Sequence, residues 1–462
     1  METLDFHAAK EPTGPKAESL LLGHLPEIRR NPLQFILRTG REYPGIAKLR
    51  MGTLRAHLIS DPEAVKRVLQ DHVQNYTKDH LSYTFMRYVL GNGLLTSQGT
   101  FWLRQRRLAQ PAFHRQRIAG MAKVMTDGAT DLVRRWSEDP NEPRDIVEEM
   151  MQLTVQVASN ALFGTGVERS QIDRVSSSFN VLSAQLVERF RTFRLVPPVL
   201  PTKYDREFRT AHRTLNEVVR EIVAAKRAHF EDTGDLLSML MLAKDEDTGE
   251  QMTDEQLRSE VTTMLLAGHE TTATALSWLW AMLEQNPEAE RKLHAELAQV
   301  LGGRTPTFED VPKLAYTKMV IEETMRLYPP VYVLSRQVKE DDVLCGFRIR
   351  KGSAVDLSPY LMHRLPQYWD APDEFRPDRF TSEEQAKRPR FLYMPFLGGP
   401  RQCIGNNFAM MEAQLVVATI AQQFAPRTLD GKVPEADPLV TLRPRGGLHM
   451  RPLTRRSEVR AA

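Results

Sequence analysis

The chain has 462 residues, of which 41% are hydrophobic and 26% charged, and its net charge is +3. That is ordinary globular composition. The charge is too small to argue for nucleic-acid binding, and no run reaches the roughly 18 consecutive apolar residues of a membrane-spanning helix. Residues 1–45 are punctuated by Pro12, Gly14, Pro15, Gly23, Pro26, Pro32, Pro44 and Gly45, which predicts an extended or wrapped lead-in. The start, Met1-Glu2-Thr3-Leu4-Asp5, has acids and no apolar core, so it does not read as a signal peptide. A soluble, cytoplasmic protein is expected. Alternation around Ile46, Leu49, Leu58 and Ile59 predicts a hairpin over 46–60. Helical patterns dominate from about 61 to 330.

The clearest helix is predicted from Asp254 to Gln285. Thr253-Asp254-Glu255-Gln256 has the form of a capping box, and Asn286-Pro287 stops this helix and starts the next. At 1.5 Å per residue it forms a rod of roughly 48 Å, long enough to cross the molecule. The following helix should end at Gly302-Gly303, and another at Leu327-Tyr328, ahead of Pro329-Pro330. Residues 331–400 read as short strands and proline-punctuated loops. A last helix is expected at about 406–424, followed by strand-like pieces such as Leu439-Val440-Thr441-Leu442. No repeat and no long Gly/Ser linker appears, so one domain over 1–462 is expected, with 46–60 and 331–400 supplying its β-rich part and no fused reductase.

The chemistry concentrates at Phe396-Leu397-Gly398-Gly399-Pro400-Arg401-Gln402-Cys403-Ile404-Gly405. An isolated cysteine is more often a small buried hydrophobe. Here glycines allow a sharp bend, and the helix that follows brings its positive end near the sulfur. That setting suits a thiolate, which can serve as the axial ligand of a haem iron. Cys345, in Val343-Leu344-Cys345-Gly346, has no cysteine or histidine nearby in sequence. Two cysteines in so long a chain make no disulfide framework and suit a reducing compartment.

The 396–405 stretch resembles the haem-binding loop of the cytochrome P-450 family, Phe-x-x-Gly-x-Arg-x-Cys-x-Gly. Phe396, Gly399, Arg401, Cys403 and Gly405 match it, and Phe408, Ala409 and Glu412 continue the pattern; Leu397 departs, standing where the family usually has glycine. The resemblance implies a mainly α-helical fold with a smaller β-rich part, a triangular prism with a long central helix over haem b. It makes Cys403 the axial ligand of the haem iron.

Ala267-Gly268-His269-Glu270-Thr271-Thr272, inside the long helix, matches the family's oxygen-activation motif. A mid-helix glycine costs about 1 kcal/mol relative to alanine, and close approach of a flat cofactor would justify it. A zinc-protease reading of His269-Glu270 fails because residue 273 is alanine, not histidine. By resemblance, Glu270 and Thr271 are the catalytic pair: Glu270 relays protons and Thr271 holds a water beside the activated oxygen. Glu323-Thr324-Met325-Arg326 resembles the family's Glu-x-x-Arg, and Arg379, in Arg376-Pro377-Asp378-Arg379-Phe380, is the implied third member of a structural ion cluster. Trp102 and Arg106, in Trp102-Leu103-Arg104-Gln105-Arg106, together with Arg336 and Arg401, are the implied partners of the haem propionates.

The basic run Arg104, Arg106, Arg107, Arg115 and Arg117 is either a solvated face or a docking patch for an acidic redox protein. The loop 80–95, Val331 to Leu334 after the double proline, and a roof from Phe179 to Phe193 are expected around an apolar substrate. The implied function is a monooxygenase that hydroxylates or epoxidises an apolar substrate, such as a fatty acid or terpenoid. It would use dioxygen and electrons from NAD(P)H through a separate reductase and a ferredoxin or flavodoxin, as a monomer. A peroxide-driven peroxygenase and a non-catalytic haem-binding protein are the alternatives. Such peroxygenases lack the acid–threonine pair that Glu270 and Thr271 preserve.

Overall fold

Helix Asp254–Gln285 forms over its predicted span in the computed structural model, which describes residues 6–164, 168–192, 202–228, 230 and 234–455. Its first turn is closed by the capping box: Gln256 N–H donates to the Thr253 hydroxyl, and the Gln256 side chain accepts from Thr253 N–H. Leu257, Val261, Trp278 and Trp280 are all buried, although they lie on different sides of the helix. A helix that is apolar on several sides must be enclosed. The Ile146–Phe163, Lys203–Ala228 and Ala315–Leu327 helices enclose it, together with the Asn406–Ala421 helix that follows Cys403. One further helix, Arg169–Thr192, packs against Lys203–Ala228, and the two form a roof.

The β-rich part is a five-stranded sheet ordered Ile46–Met51, Leu54–Ile59, Ala354–Leu357, Leu334–Val338, Tyr76–Thr77. Only the second and third strands are parallel. Two apolar clusters result. The larger joins the helices, and the smaller lies between the sheet, the Pro32–Glu42 helix and the segment up to Met394. The 46–60 hairpin, the Pro287–Leu301 helix with its left-handed cap at Gly302, and the stop at Leu327 agree with the sequence reading.

Three expectations are corrected. The 1–45 lead-in contains helices Leu25–Arg30 and Pro32–Glu42. Pro26 and Pro32 sit in first turns, where a missing N–H is harmless, so they start helices rather than break them. Asn31 caps the second, accepting from Gln34 N–H at 3.1 Å. The last helix stops at Ala421, because Phe424–Thr428 pairs with strand His449–Thr454. Residues 439–441 are the turn between strands Ala436–Pro438 and Leu442–Pro444, not a strand. Of the expected roof, residue 193 lies outside the described residues.

Candidate active site

A cavity of about 1710 Å³ runs from the N-terminal helices to the Cys403 loop. One wall is the middle of the Asp254–Gln285 helix, with Ala267, Gly268, Glu270, Thr271 and Thr272; facing it are Phe396, Arg401, Cys403 and Gly405. Gly268 is not a packing glycine: a Cβ there would meet only Ala158 Cβ, at 3.8 Å. Thr271 Oγ1 donates to the Ala267 carbonyl at 2.6 Å, so its hydroxyl lies along the cavity wall. Glu270 lines the same cavity but is held by protein partners. Its carboxylate pairs with Arg443 at 2.7 Å, accepts from Thr441 Oγ1 at 2.7 Å and from Ser183 Oγ at 3.3 Å, and is 3% exposed. Successive helical residues point about 100° apart, and the two catalytic candidates make no hydrogen bond to each other.

Cys403 is held by its own loop. Its N–H donates to the Phe396 carbonyl at 3.0 Å, and the Gly405 N–H hydrogen-bonds the sulfur. Gly399 is required: its φ is +68°, and a Cβ would lie 2.0 Å from the Leu69 carbonyl oxygen. Leu397 adopts φ +59°, a left-handed conformation that costs a side-chain-bearing residue about 1–2 kcal/mol. The loop therefore keeps the glycine-type backbone at the position where the sequence departs from the family pattern. The thiol faces the cavity but lies deep below the outer surface. Burial pushes it above its ordinary value; the Gly405 N–H and the Arg106 guanidinium pull it down by less. A bound cation would favour the thiolate.

The rest of this end of the cavity is positive. Arg401 stacks over Trp102 at 3.8 Å and donates to the Ser97 carbonyl at 3.0 Å. Arg336 is buried and donates to Tyr83 Oη at 2.7 Å. Arg106 donates to the Gln402 carbonyl at 2.9 Å. Lys78, which no sequence pattern picks out, is buried with them and donates to the Leu95 carbonyl at 2.6 Å. Burial and the neighbouring Arg336, Arg401 and Arg87 push Lys78 well below its ordinary value, and burial with Arg336 lowers Arg401 to about 9. Among the described residues, none of Lys78, Arg106, Arg336 and Arg401 forms an ion pair.

Uncompensated buried cations are costly, and a ligand carrying two carboxylates relieves them. Haem, with two propionates on one edge and an iron that takes a thiolate, fits this donor set. Trp102, Arg106, Arg336, Arg401 and Lys78 are the groups placed to hold the propionates, and Cys403 the one placed to hold the iron.

Behind the cysteine loop, Glu323 and Arg326 are fully buried, with Nε–Oε2 at 2.7 Å and Nη2–Oε1 at 2.9 Å. Arg326 also donates to the carbonyls of His363, Pro372 and Glu374. Arg379 reaches Glu323 at 3.4 Å, and Arg376 N–H donates to Glu323 at 2.7 Å. His363 extends the network, accepting from Met394 N–H at 2.9 Å. The cluster ties the Ala315–Leu327 helix to the 363–376 segment and so to the chain leading into the cysteine loop.

The basic run is mostly spoken for. Arg104 pairs with Glu250 at 3.4 Å, Arg107 with Asp247 at 2.7 Å and Asp245 at 3.1 Å, and Arg115 lies over the Phe308 ring. Of the five arginines, Arg106 lines the cavity, and Arg117 has no ion pair among the described residues.

Glu260, on the same long helix, is fully buried and accepts from Leu94 N–H at 3.0 Å, fixing the loop that brings Leu94 and Leu95 to the cavity. Burial pushes its carboxyl up to about 7. The folded state thus binds this proton more tightly than the unfolded chain. The stabilisation is full below the ordinary carboxyl value near 4.5 and is lost as pH rises to about 7. Glu260→Gln keeps the acceptor and removes the titration. Between pH 5 and 8 the wild type should lose on the order of 2 kcal/mol more than the variant, read from urea midpoints; parallel pH profiles would contradict this.

The chain is similar to known proteins over most of its length. A family model for cytochrome P-450 matches residues 12–450. Cyclooctatin synthase of Streptomyces melanosporofaciens is 38% identical over 412 residues, covering 89% of each chain. Cyclooctat-9-en-7-ol 5-monooxygenase of the same organism is 34% identical over 411 residues, 89% of this chain and 88% of the relative. Pentalenene oxygenase of Streptomyces avermitilis is 30% identical over 406 residues, 87% of this chain and 89% of the relative. The crystal structure of the cytochrome P-450DA heme domain superposes with a TM-score of 0.88 at 28% identity, covering 97% of this chain and 98% of that one. No helix among the described residues is long and apolar enough to cross a membrane. A thiol at the base of a cavity ringed by unpaired cations, in a fold shared from end to end with these proteins, places the chain in the cytochrome P-450 family, as a haem b-dependent monooxygenase.

Proposed function

We propose that the enzyme inserts one atom of dioxygen into a C–H or C=C bond of a terpenoid-like, largely apolar substrate. Its electrons would come from NAD(P)H through a separate reductase and a ferredoxin or flavodoxin. The observation that carries this reading is the cavity itself. Its apolar wall, with Met86, Leu94, Leu95, Val331 and Val333, leads to the face where Thr271 lies opposite Cys403. The terpenoid-modifying activity of the Streptomyces relatives supports the substrate class. Bound haem supplies the activation of dioxygen. The chain's own residues do the rest: Cys403 ligates the iron, and Trp102, Arg106, Arg336, Arg401 and Lys78 orient the propionates. The Phe396 carbonyl accepts from Cys403 N–H, and Glu323, Arg326 and Arg379 hold the loop's support in place.

Thr271 keeps a water hydrogen-bonded beside the reacting oxygen. Glu270 brings protons inward once it leaves Arg443 and Thr441. The electron-transfer protein docks beside Arg117 and Arg115, on the basic segment nearest Cys403, because Arg104 and Arg107 are already paired. The enzyme acts as a single-domain cytoplasmic monomer.

The test is Thr271→Ala. With surrogate redox proteins and a terpenoid substrate, NAD(P)H consumption should persist while product per NAD(P)H falls by about tenfold or more, with peroxide released instead. An unchanged product-to-NAD(P)H ratio would refute the assignment.

A further inference from the structure

One stretch of the cavity wall breaks its apolar pattern. Along one face of the five-stranded sheet the cavity is lined by Leu49 and Leu58, with Phe35 nearby. Among them stand Ser335 and Asp356. They are direct cross-strand partners, Ser335 on the Leu334–Val338 strand and Asp356 on the Ala354–Leu357 strand, and the same row continues to Leu58. Cross-strand partners project on the same face of a sheet, so the two side chains meet. Ser335 Oγ donates to Asp356 Oδ1 at 2.5 Å.

That bond is the only one Asp356 makes with its side chain among the described residues. It forms no ion pair and caps no helix. Its second oxygen has no protein donor. The serine has given its one proton to the acid, so its oxygen is left as an acceptor. The fold does not require a carboxyl here: the neighbouring position in the row is Leu58, an ordinary core residue. Burial pushes the Asp356 carboxyl up to about 6, with no cation beside it to offset the cost. An acceptor that faces an apolar cavity with no donor is poorly satisfied, and a ligand donor supplies what it lacks. The four cations at the haem end of the same cavity speak against a cationic ligand.

We infer that Ser335 and Asp356 are a polar anchor for a hydroxyl group on the substrate, so that the enzyme takes an apolar skeleton already carrying an alcohol. This deepens the monooxygenase reading and rests on it. It also places the enzyme after a reaction that installs a hydroxyl, a hydroxylation or a hydration. The oxygen it adds then goes to a carbon set by the distance between the anchor and the haem face.

The test uses holoenzyme and two matched pairs, cyclododecanol with cyclododecane and farnesol with farnesane, titrated by the shift in haem absorbance. Because a hydroxyl alters partitioning from water, the readout is the alcohol-to-hydrocarbon affinity ratio, compared between wild type and variants. Asp356→Leu should weaken alcohol binding by about tenfold or more relative to the hydrocarbon. Asp356→Asn, which keeps an acceptor, should lose less, and so should Ser335→Ala. If the leucine variant does not hold haem, the asparagine and serine variants give the same comparison with a smaller amplitude. Ratios unchanged in every variant, or no shift with either alcohol in the wild type, would overturn the anchor. In each protein the carbon-monoxide band characteristic of thiolate-ligated haem is recorded first. Its absence from the wild type would instead remove the monooxygenase reading.

Discussion

Glu323→Ala should destabilise the protein by about 3–5 kcal/mol, because it leaves Arg326 buried without its partner. Glu323 and Arg326 are both 0% exposed, so water cannot take over the lost interaction. The same carboxylate accepts from Arg376 N–H and attracts Arg379, so its removal also strands a backbone donor. Arg326 would keep its bonds to the carbonyls of His363, Pro372 and Glu374 but lose the one anion it pairs with among the described residues. Against a typical net stability of about 5–15 kcal/mol, the variant should accumulate poorly and retain little haem. Glu323→Gln, which keeps the shape and one acceptor, should fall between alanine and wild type. The measurement is urea unfolding of the purified proteins together with haem content. A loss under 1 kcal/mol with full haem occupancy would mean that the cluster does not hold the support of the cysteine loop.

Substituting Cys403 should have the largest effect on activity. The sulfur sits where burial disfavours charge, and the Gly405 N–H and Arg106 only partly offset it. A serine there is a far weaker acid than a thiol and has no comparable push toward the iron. A histidine offers a neutral nitrogen, which changes the electron donation that favours O–O cleavage. Cys403→Ser and Cys403→His should therefore lose essentially all monooxygenase turnover. The propionate-side contacts of Arg336, Arg401 and Lys78 are made by other residues and remain, so haem should still bind to the histidine variant.

Much of this site was readable from the chain because its parts are local. Phe396 to Gly405 sit in one loop, Gly268 to Thr272 on one helical turn, and Glu323 and Arg326 three residues apart on one helix face. The long helix announced its own ends through Thr253, Gln256 and Pro287, since capping chemistry is written in adjacent residues. What escaped is non-local or unpatterned. The partners of Glu270 are distant in the chain, Ser183 87 residues before it and Thr441 171 after, and no spacing rule connects them. Lys78 stands in Tyr76-Thr77-Lys78-Asp79, with no periodicity to mark it; only the fold brings it to Arg336 and Arg401. Ser335 and Asp356 become a pair only through strand register.

The prolines of the lead-in were misleading for a physical reason. Proline breaks a helix from within but begins one well, and sequence alone did not separate the two roles at Pro26 and Pro32. At Cys403 burial opposes the charge that one N–H and one guanidinium favour, a balance the local residues do not display. The basic patch shrank for a related reason. Arg104 and Arg107 found acids in the 245–250 loop, which the local run of arginines could not reveal.

The central claim is the bond from Cys403 to a haem iron. It is tested most directly by the absorbance of the reduced carbon-monoxide complex of purified wild type beside Cys403→His. The wild type should show the red-shifted band after which the cytochrome P-450 family is named, and the histidine variant should bind haem without it. A wild type lacking the band, or a histidine variant retaining it, would contradict the account.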